Sequence, residues 1–254
     1  MIKNLYGTSK ATVNNEIYKH LGDKWYLEDH DPIAILRAEN VLKDLFIQNS
    51  LMALQGNKAN TILDVGCGGG LLTNSLAKAG YTVTGIDVAE NALEMAKKYD
   101  ATGSVRYQKA NAYELPFGPQ SFDCVCIMDF LEHVEFPAQV IKEASRVLKH
   151  KGSLFFHTFN RNLLTWLIVI KGIDWFVPNA TKDMHLYRCF ITPQEMQDLV
   201  ERFNMQICHL CGIAPRLFSK AVLKLLLTRK VPKDFEFQYK KSLVLGYLGH
   251  ARKL

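Results

Sequence analysis

From residue 61 onward the hydrophobic and polar positions alternate between two patterns. Short runs of β-branched and apolar residues indicate buried strands. Each run is followed by a stretch whose apolar residues recur every three or four positions, as on one face of a helix. This alternation is typical of βαβ units and a parallel sheet. The strands are predicted at 61–65, 81–86, 105–108, 123–128 and 153–158, and a closing antiparallel hairpin at 207–213 and 243–248.

Helices are predicted between these strands at 71–79 and 89–99, from Pro137 to Lys151-Gly152, and after the capping pair Thr192-Pro193. Two segments lie outside the alternation. Residues 1–60 are interpreted as an N-terminal helical layer. Residues 160–190 form a long insertion after the fifth strand, and such insertions usually serve as lids or binding elements. We therefore expect one domain over 1–254: an α/β fold with a seven-stranded, mostly parallel sheet and helices on both faces.

The composition narrows the class of protein. A chain of 254 residues with 48% hydrophobic and 22% charged residues is globular, which excludes disordered, collagenous and coiled-coil chains. Six cysteines are too few for a disulfide scaffold of this size, and the N-terminus has no secretory signal, so we expect a cytoplasmic protein. The net charge of +6 is too slight to predict nucleic-acid binding. Residues 220–241, however, carry seven Lys/Arg against two Asp/Glu, so almost the whole net positive charge is concentrated in this segment.

The most informative stretch is the strand that runs from Asp64 into a glycine-rich turn containing Gly66 and Gly68. Glycines let the backbone turn sharply and let a ligand approach the main chain. The turn does not fit the dinucleotide pattern G-x-G-x-x-G, because its third glycine is replaced by Leu71. A carboxylate at Asp64 would also repel phosphates. Asp87, 21 residues after Gly66, ends the next strand, where a carboxylate can accept both hydroxyls of a ribose.

This combination resembles the S-adenosylmethionine site of class I methyltransferases, whose fold is Rossmann-like. That cofactor carries a sulfonium cation and no phosphate, so carboxylates near the loop are chemically reasonable. The resemblance extends to Asn111-Ala112, which falls where these enzymes contact adenine. Cys67, although beside the loop, is expected to be inert packing.

A second cluster follows the fourth strand, where open α/β sheets place their active sites. It consists of Asp129, Glu132 and His133, whose spacing puts them on one side of a helical turn. Two carboxylates and an imidazole can hold a hard divalent cation such as Mg²⁺. The alternative is that Glu132 caps a turn and His133 lines a pocket without metal, as in many class I methyltransferases.

Residues 155–162, with Trp166 shortly after, resemble the corresponding segment of ubiquinone-biosynthesis O-methyltransferases. Val177-Pro178 and residues 190–195 match the family's later pattern. The resemblance implies methylation of a phenolic hydroxyl on a polyprenylated phenol or quinol, with S-adenosylmethionine as cofactor and Mg²⁺ in the acidic cluster. The implied cofactor residues are Arg37, Asp64, Gly66, Gly68, Asp87, Asn111, Ala112 and Met128, and the implied catalytic and metal residues are Asp129, Glu132 and His133.

The chain departs from the family in places, with Asp129 where the family has Glu and Thr181-Lys182 where it has Thr-His. For the general base on the phenol, His133 ranks before His157 and His185, because it belongs to the acidic cluster. Two other functions stay open: a metal-free methyltransferase of another small molecule, attacking through carbon or nitrogen, and a non-catalytic cofactor-binding subunit of a biosynthetic complex.

A polyprenyl substrate resides in the bilayer, so we expect peripheral attachment to an anionic membrane surface, on the inner membrane face. Two elements suit this role. One is the apolar insertion 163–176. The other is 217–230, where Leu217, Phe218, Ala221, Val222 and Leu225 form an apolar helical face flanked by basic residues. The alternative is that both elements only cover the sheet and pocket.

Overall fold

The structure of the protein is a computed structural model. It describes residues 15–27, 32–53, 61–177 and 185–254. Pro178 and Thr181-Lys182, which entered the family comparison above, lie outside the described residues. The described strands are β1 Thr61–Val65, β2 Thr82–Asp87, β3 Arg106–Lys109, β4 Phe122–Met128, β5 Leu148–Phe159, β6 Met205–Pro215, β7 Phe237–Lys240 and β8 Gly246–Lys253.

Helices precede the sheet and fill most of its crossovers. In the described part of residues 1–60, which was predicted to be a helical layer, three helices come before β1. The described α-helices are α1 Glu16–Lys19, α2 Lys24–Leu27, α3 Pro32–Ala53, α4 Leu71–Lys78, α5 Glu90–Lys98, α6 Pro137–Val147, α7 Leu163–Thr165, α8 Gly172–Phe176, α9 Pro193–Arg202 and α10 Lys220–Thr228. A π-helix, Trp166–Lys171, joins α7 to α8, and 3₁₀ turns form at Leu131–His133 and Tyr187–Cys189.

The strands lie in the order β3-β2-β1-β4-β5-β8-β6-β7. β1 to β5 are parallel to one another, β8 is antiparallel to β5 and β6, and β7 is antiparallel to β6. The α/β class with a mostly parallel sheet is confirmed. Seven strands were predicted, whereas the described residues form eight. The additional strand is β7, four residues at the sheet edge within a charged segment that showed no strand pattern.

The last strand was placed too early, at 243–248, because its sequence is rich in glycine and polar residues. These residues are buried for specific reasons. A Cβ on Gly249 would lie 2.0 Å from the ring of Phe156, so only glycine leaves room for that ring. His250 stacks on Phe155 with ring centroids 4.7 Å apart, and its Nε2 lies 3.1 Å from the hydroxyl of Ser153.

Helix α6 also ends earlier than predicted, at Val147, and β5 begins at the next residue. Lys151-Gly152 therefore lies inside the strand, with Lys151 at a positive φ of 60°, and does not close the helix. The start of α9 is as predicted. Thr192 accepts a hydrogen bond from the Glu195 amide, and the Glu195 side chain accepts one from the Thr192 amide, which is a complete capping box.

Two apolar layers cover the faces of the sheet. On one face, α6 and α9 pack against β4, β5 and β8. On the other face, α3 and α4 pack against the same sheet, with Phe46, Ile47 and Leu76 buried. Helix α3 therefore runs along the core and beside the carboxyl ends of the central strands. Among the described residues, no helix has both the length and the hydropathy needed to cross a membrane.

Candidate active site

The candidate site lies where the strand order of the sheet reverses. β1 pairs with β2 on one side and with β4 on the other, and open α/β sheets form a crevice at the carboxyl ends of such strands. A pocket of about 210 Å³ occupies this place. Its walls come from the glycine-rich turn after β1, the end of β2, the residues after β4, helix α3 and the insertion after β5.

The glycine-rich turn needs its glycines for two reasons. Gly66 and Gly68 have φ angles of 73° and 51°, in the left-handed region that favours glycine. Aromatic rings also lie directly against them. A Cβ on Gly66 would be 2.1 Å from the ring of Phe130, and one on Gly68 would be 2.6 Å from the ring of Trp25. The turn is therefore shaped both by its own conformation and by the side chains that cover it.

Asp87 connects the glycine-rich turn to the next helix. Its carboxylate accepts a hydrogen bond from the Gly68 amide at 2.9 Å and another from the Ala89 amide at 2.8 Å. Burial raises the pKa of Asp87, while these amide hydrogen bonds oppose the rise. Each carboxylate oxygen can accept more than one hydrogen bond, so both remain able to accept from a ligand's hydroxyl groups. This is the geometry expected of a ribose-binding carboxylate.

Asp64 and Met128 line the same pocket. The Asp64 carboxylate is buried and accepts a hydrogen bond from the Thr73 hydroxyl at 2.6 Å. Burial raises the pKa of Asp64 to about 7, although the hydrogen bond from Thr73 lowers it. A cationic ligand in the pocket would favour the ionised form. Five predicted cofactor residues thus share one pocket, namely Asp64, Gly66, Gly68, Asp87 and Met128.

Three predicted cofactor residues do not line this pocket. Positions 33, 36 and 40 of helix α3 face it, at helical spacing, whereas Arg37 lies on another face and lines a second cavity. Its guanidinium donates to the Lys24 and Trp25 carbonyls at 2.9 and 3.2 Å, which fixes α2 against α3. Asn111 is exposed and accepts from the Tyr113 amide, and Ala112 is buried in the core.

The indole of Trp25 is a pocket residue to which the sequence analysis gave no role. Trp25 is 4% exposed, and its ring covers Gly68 and Gly69. Its Nε1 has no hydrogen-bond partner among the described residues. The neighbouring Tyr26 hydroxyl donates to the Gly69 carbonyl at 2.7 Å. The signal in the sequence was the aromatic pair ahead of α3, but nothing in its spacing indicated contact with a loop more than forty residues later.

The backbone of Asp129 has a positive φ of 50°, which Asp tolerates better than most residues. Its carboxylate lines the pocket and is paired on both oxygens: Lys43 donates to Oδ2, and Nδ1 of His157 contacts Oδ1. Burial would raise the pKa of Asp129, but Lys43 and His157 outweigh burial and hold it well below its usual range. Asp129 is therefore an ionised, fixed acceptor at the pocket wall.

Glu132 and His133 do not join Asp129 in a group of ligand atoms among the described residues. Glu132 is fully buried, where one oxygen accepts from the Thr158 hydroxyl at 2.9 Å and the other has no partner among the described residues. Burial, and then the charge of Asp129, raise the pKa of Glu132 to about 7. Within the described residues, the group whose ligand atoms could hold a metal ion is Glu39, Asp129 and His157. The structure thus brings Asp129 together with residues other than Glu132 and His133.

His133 instead belongs to an aromatic wall of the pocket. Its Nε2 lies 3.5 Å from the Tyr18 hydroxyl, and its ring centroid lies 5.2 Å from that of His185. Burial lowers the pKa of His133 to about 3, with a smaller contribution from His185, and burial lowers the pKa of His185 to about 4. Both imidazoles are therefore neutral at neutral pH, and a neutral imidazole has one ring nitrogen that can accept a hydrogen bond.

Comparisons with known proteins identify the family of this chain. The family described as a methyltransferase domain matches residues 63–156. A ubiquinone biosynthesis O-methyltransferase of Hydrogenovibrio crunogenus is 33% identical over 237 residues, which cover 92% of this chain and 94% of that protein. One of the same name from Saccharophagus degradans is 33% identical over 199 residues, covering 76% of this chain and 77% of that protein.

Solved structures support the fold. The PH0226 protein of Pyrococcus horikoshii matches 95% of this chain and all of its own, with a TM-score of 0.62 at 19% identity. The magnesium protoporphyrin IX methyltransferase of Synechocystis matches 85% of this chain and 84% of its own, with a TM-score of 0.58 at 18% identity. From the sequence relatives and the carboxylate-lined pocket, we conclude that this chain is an S-adenosylmethionine-dependent O-methyltransferase and belongs to the ubiquinone-biosynthesis O-methyltransferase family.

Proposed function

We propose that this chain transfers a methyl group from S-adenosylmethionine to a phenolic oxygen of a polyprenylated ring, a precursor in ubiquinone biosynthesis. The observation that carries this proposal is a single pocket in which Asp87 and the glycine-rich turn face Asp129, His133 and His185. One half suits the cofactor and the other suits a phenol. The names of the relatives support the choice of an oxygen acceptor in this pathway.

The cofactor half follows from the hydrogen bonds already described. Asp87 binds the ribose hydroxyls, and Asp64 with the glycine-rich turn faces the methionine portion. Val88, which lines the pocket, would contact the adenine. Asn111 and Ala112 would follow it at the edge of the site, because the Ala110 amide donates to the Asp87 carbonyl at 3.1 Å and holds the following residues beside the end of β2. Arg37 lines a different cavity and supports α2 through the Lys24 and Trp25 carbonyls.

The acceptor half has an aromatic and apolar wall. Phe130 and Phe159 line it, together with Ile173 and His185 from the insertion. Contact between the insertion and the pocket supports the interpretation of residues 160–190 as a lid. A phenol has a pKa near 10, so little phenolate is present at neutral pH. His133, whose Nδ1 has no partner among the described residues, is the first candidate for the general base. Burial lowers the pKa of His133, and a phenolate formed beside the ring would oppose that effect by stabilising the imidazolium. His185 is the second candidate, and the centroids of the two rings lie 5.2 Å apart.

In the reaction, the phenolic O–H bond breaks and its proton passes to the base. The oxygen then attacks the methyl carbon, and the carbon–sulfur bond breaks with its electrons returning to sulfur. The products are a methyl ether, S-adenosylhomocysteine and a proton. The sulfonium charge is lost in this step, so a pocket with little water favours it. The sequence interpretation added Mg²⁺, but Asp129, Glu132 and His133 do not converge, and no step is assigned to a metal ion.

Peripheral membrane attachment is part of the proposal, because a polyprenyl chain must leave the bilayer to reach the pocket. Helix α10 has two faces. Ala221 and Leu225, assigned above to the membrane face, are buried in one cluster with Ala34 of α3, and Val222 of the same predicted face packs against that cluster, so that part of the assignment was wrong. Other apolar residues are exposed in two segments. In and just before α10 they are Leu217, Phe218, Leu223, Leu226 and Leu227, and in the insertion they are Leu163, Leu164, Leu167 and Trp175.

The activity is tested by incubating purified protein with methyl-labelled cofactor and a panel of polyprenyl catechols and phenols. Labelled methyl ether in the organic extract supports the proposal. Cofactor binding without transfer to any phenol would favour the non-catalytic subunit. Label on carbon or nitrogen of another small molecule would favour the alternative methyltransferase.

Attachment is tested separately by sedimentation with anionic liposomes. Binding should weaken with added salt and in a variant with Phe218→Ser and Leu227→Ser, whose side chains are among the most exposed apolar ones. A variant with Val41→Ser, an exposed apolar residue of α3, is the matched control and should sediment like the original protein. Protein that stays in the supernatant at low salt with lipid in excess would contradict attachment.

A further inference from the structure

Four ionisable side chains form a closed ring at the bottom of the pocket. Lys43 Nζ lies 2.7 Å from Oε2 of Glu39 and donates to Oδ2 of Asp129. His157 closes the other side, with Nδ1 on Oδ1 of Asp129 and Nε2 3.5 Å from Oε1 of Glu39. Lys43 and His157 are fully buried, and their partners reach the pocket surface. Each acidic side chain thus has a basic neighbour on two sides.

This ring contains the same three residues that could hold a metal ion, Glu39, Asp129 and His157. A divalent cation would bind the carboxylate oxygens of Glu39 and Asp129 at about 2.0–2.6 Å. The ammonium group of Lys43 already bonds to both carboxylates, so a metal ion bridging them would meet it at close range. Two buried cations that close repel strongly. The residues present therefore fit an internal ammonium group and do not fit a divalent ion.

The charge of the ring supports the same conclusion. The carboxylate of Glu39 is buried and that of Asp129 is largely enclosed, so both need a nearby positive charge, because an unpaired buried charge is strongly unfavourable. Burial lowers the pKa of Lys43, but Asp129 and Glu39 outweigh it and keep the pKa above its usual value. Lys43 is therefore an ammonium ion at neutral pH. It supplies a permanent cation that needs no metal from solution.

Lys43 does not itself line the pocket, whereas Glu39 and Asp129 do. It therefore acts as a positioning residue: it holds two acceptor oxygens at the pocket wall and balances their charge. A phenol hydroxyl hydrogen-bonded to Asp129 would then lie close to a fixed positive charge as its oxygen becomes a phenolate. This is the electrostatic task that the sequence interpretation gave to Mg²⁺.

We propose that Lys43 is the resident cation of this active site, and that methyl transfer by this chain is independent of divalent metal ions. The second half of this statement rests on the function proposed above. The first half concerns only occupancy of the site, and it can be measured without any substrate.

Metal binding by the original protein is the first test. After dialysis against EDTA, the protein is titrated with Mn²⁺ and the free ion is followed by electron paramagnetic resonance. We expect no stoichiometric binding at micromolar Mn²⁺. Turnover with labelled cofactor should be the same with EDTA and with added Mg²⁺. Stoichiometric Mn²⁺ binding that disappears in Asp129→Asn, or turnover that EDTA abolishes and Mg²⁺ restores, would overturn the proposal.

The second test removes the ammonium group. Lys43→Met keeps the length of the side chain and leaves Glu39, Asp129 and His157 without their cation. This variant should gain Mn²⁺ binding at least tenfold over the original protein, and the gain should be lost in Lys43→Met combined with Asp129→Asn. Lys109→Met, which removes an exposed ammonium paired with Glu90, is the control and should gain nothing. Equal Mn²⁺ affinity in a folded Lys43→Met and the original protein would contradict the proposal.

The two proposals fail in different ways. Absence of methyl transfer to every phenol, with and without Mg²⁺, would count against the proposed function while the Mn²⁺ titrations still decide the role of Lys43. If Lys43→Met does not fold, the titration and the EDTA assay of the original protein decide it alone.

Discussion

Replacing Asp87 tests the cofactor half of the site most directly. In Asp87→Ala, the carboxylate that accepts from the Gly68 and Ala89 amides is lost, and with it the proposed acceptor for two ribose hydroxyls. Hydrogen bonds to a charged group contribute about 1.5–3 kcal/mol each, and water replaces part of that in the empty pocket. We therefore expect a net loss of about 2–4 kcal/mol in cofactor binding, which is roughly 30- to 1,000-fold in Kd.

The same substitution also removes two hydrogen bonds inside the protein, so stability and binding must be measured separately. Losing them costs about 2 kcal/mol of unfolding free energy at about 1 kcal/mol each, or roughly 4–8 °C in Tm for a chain of this size. Calorimetric titration with S-adenosylhomocysteine well below the Tm isolates the binding effect. Glu90→Gln, an exposed carboxylate three residues away, is the matched control and should bind normally. An unchanged Kd in folded Asp87→Ala would refute the assignment of this residue to the ribose.

Three further predictions concern other parts of the site. Gly68→Ala places a Cβ 2.6 Å from the Trp25 ring at a φ of 51°, so the affinity for the cofactor, measured by calorimetry, should fall at least tenfold. The control Gly80→Ala, also at positive φ but with nothing within 4 Å of its Cβ, should lose only stability. Equal cofactor affinities in the two variants would contradict the packing argument. His133→Asn should lower kcat by about 10²–10⁴ with cofactor Kd unchanged, and a larger loss in His185→Asn would transfer the role of general base to His185. Burial raises the pKa of Glu132 from 4.5 to about 7. Between these pH values the folded protein keeps a proton on Glu132 that the unfolded chain has lost. The stability that the protonated Glu132 contributes is therefore fully present below pH 4.5 and is lost as the pH rises to about 7. Glu132→Gln should therefore flatten the fall in Tm across that interval, and an identical pH profile in the variant would exclude this origin.

The fold and the cofactor loop could be predicted from the sequence because their signals are local. The strand that contains Asp64, the glycines after it and Asp87 at the end of the next strand lie within 27 residues, and parallel pairing of β1 with β2 brings them together. Strand β7 and the start of β8 were misjudged for the opposite reason. Their burial depends on close packing against distant residues, such as Phe156 against Gly249, and hydrophobic pattern does not record such contacts.

Arg37 and the acidic cluster were mispredicted for a different reason, which is the direction in which their side chains point. Arg37 lies on the pocket-lining helix α3, but at a position that turns its side chain toward α2 and a second cavity. Glu132 and His133 are close to Asp129 in sequence, yet the positive φ of Asp129 and the 3₁₀ turn that follows separate the three side chains. Spacing along a helical turn predicted convergence, and the structure has no regular helix at that place.

Some residues of the site are neighbours in space but far apart in the sequence, and this limits what family membership implies for the chemistry of this chain. The hydrogen bond from Gly68 to Asp87 joins residues 19 apart, inside the stretch matched by the methyltransferase family. The contact from Lys43 to Asp129 joins residues 86 apart, and Lys43 lies outside that matched stretch. The cofactor half of the site therefore depends on residues inside the family match, whereas the charge balance of the acceptor half depends on α3, which must be established for each chain. A prediction of a divalent ion that uses only Asp129 and its sequence neighbours omits the ammonium group of Lys43, which helix α3 places against the same carboxylate.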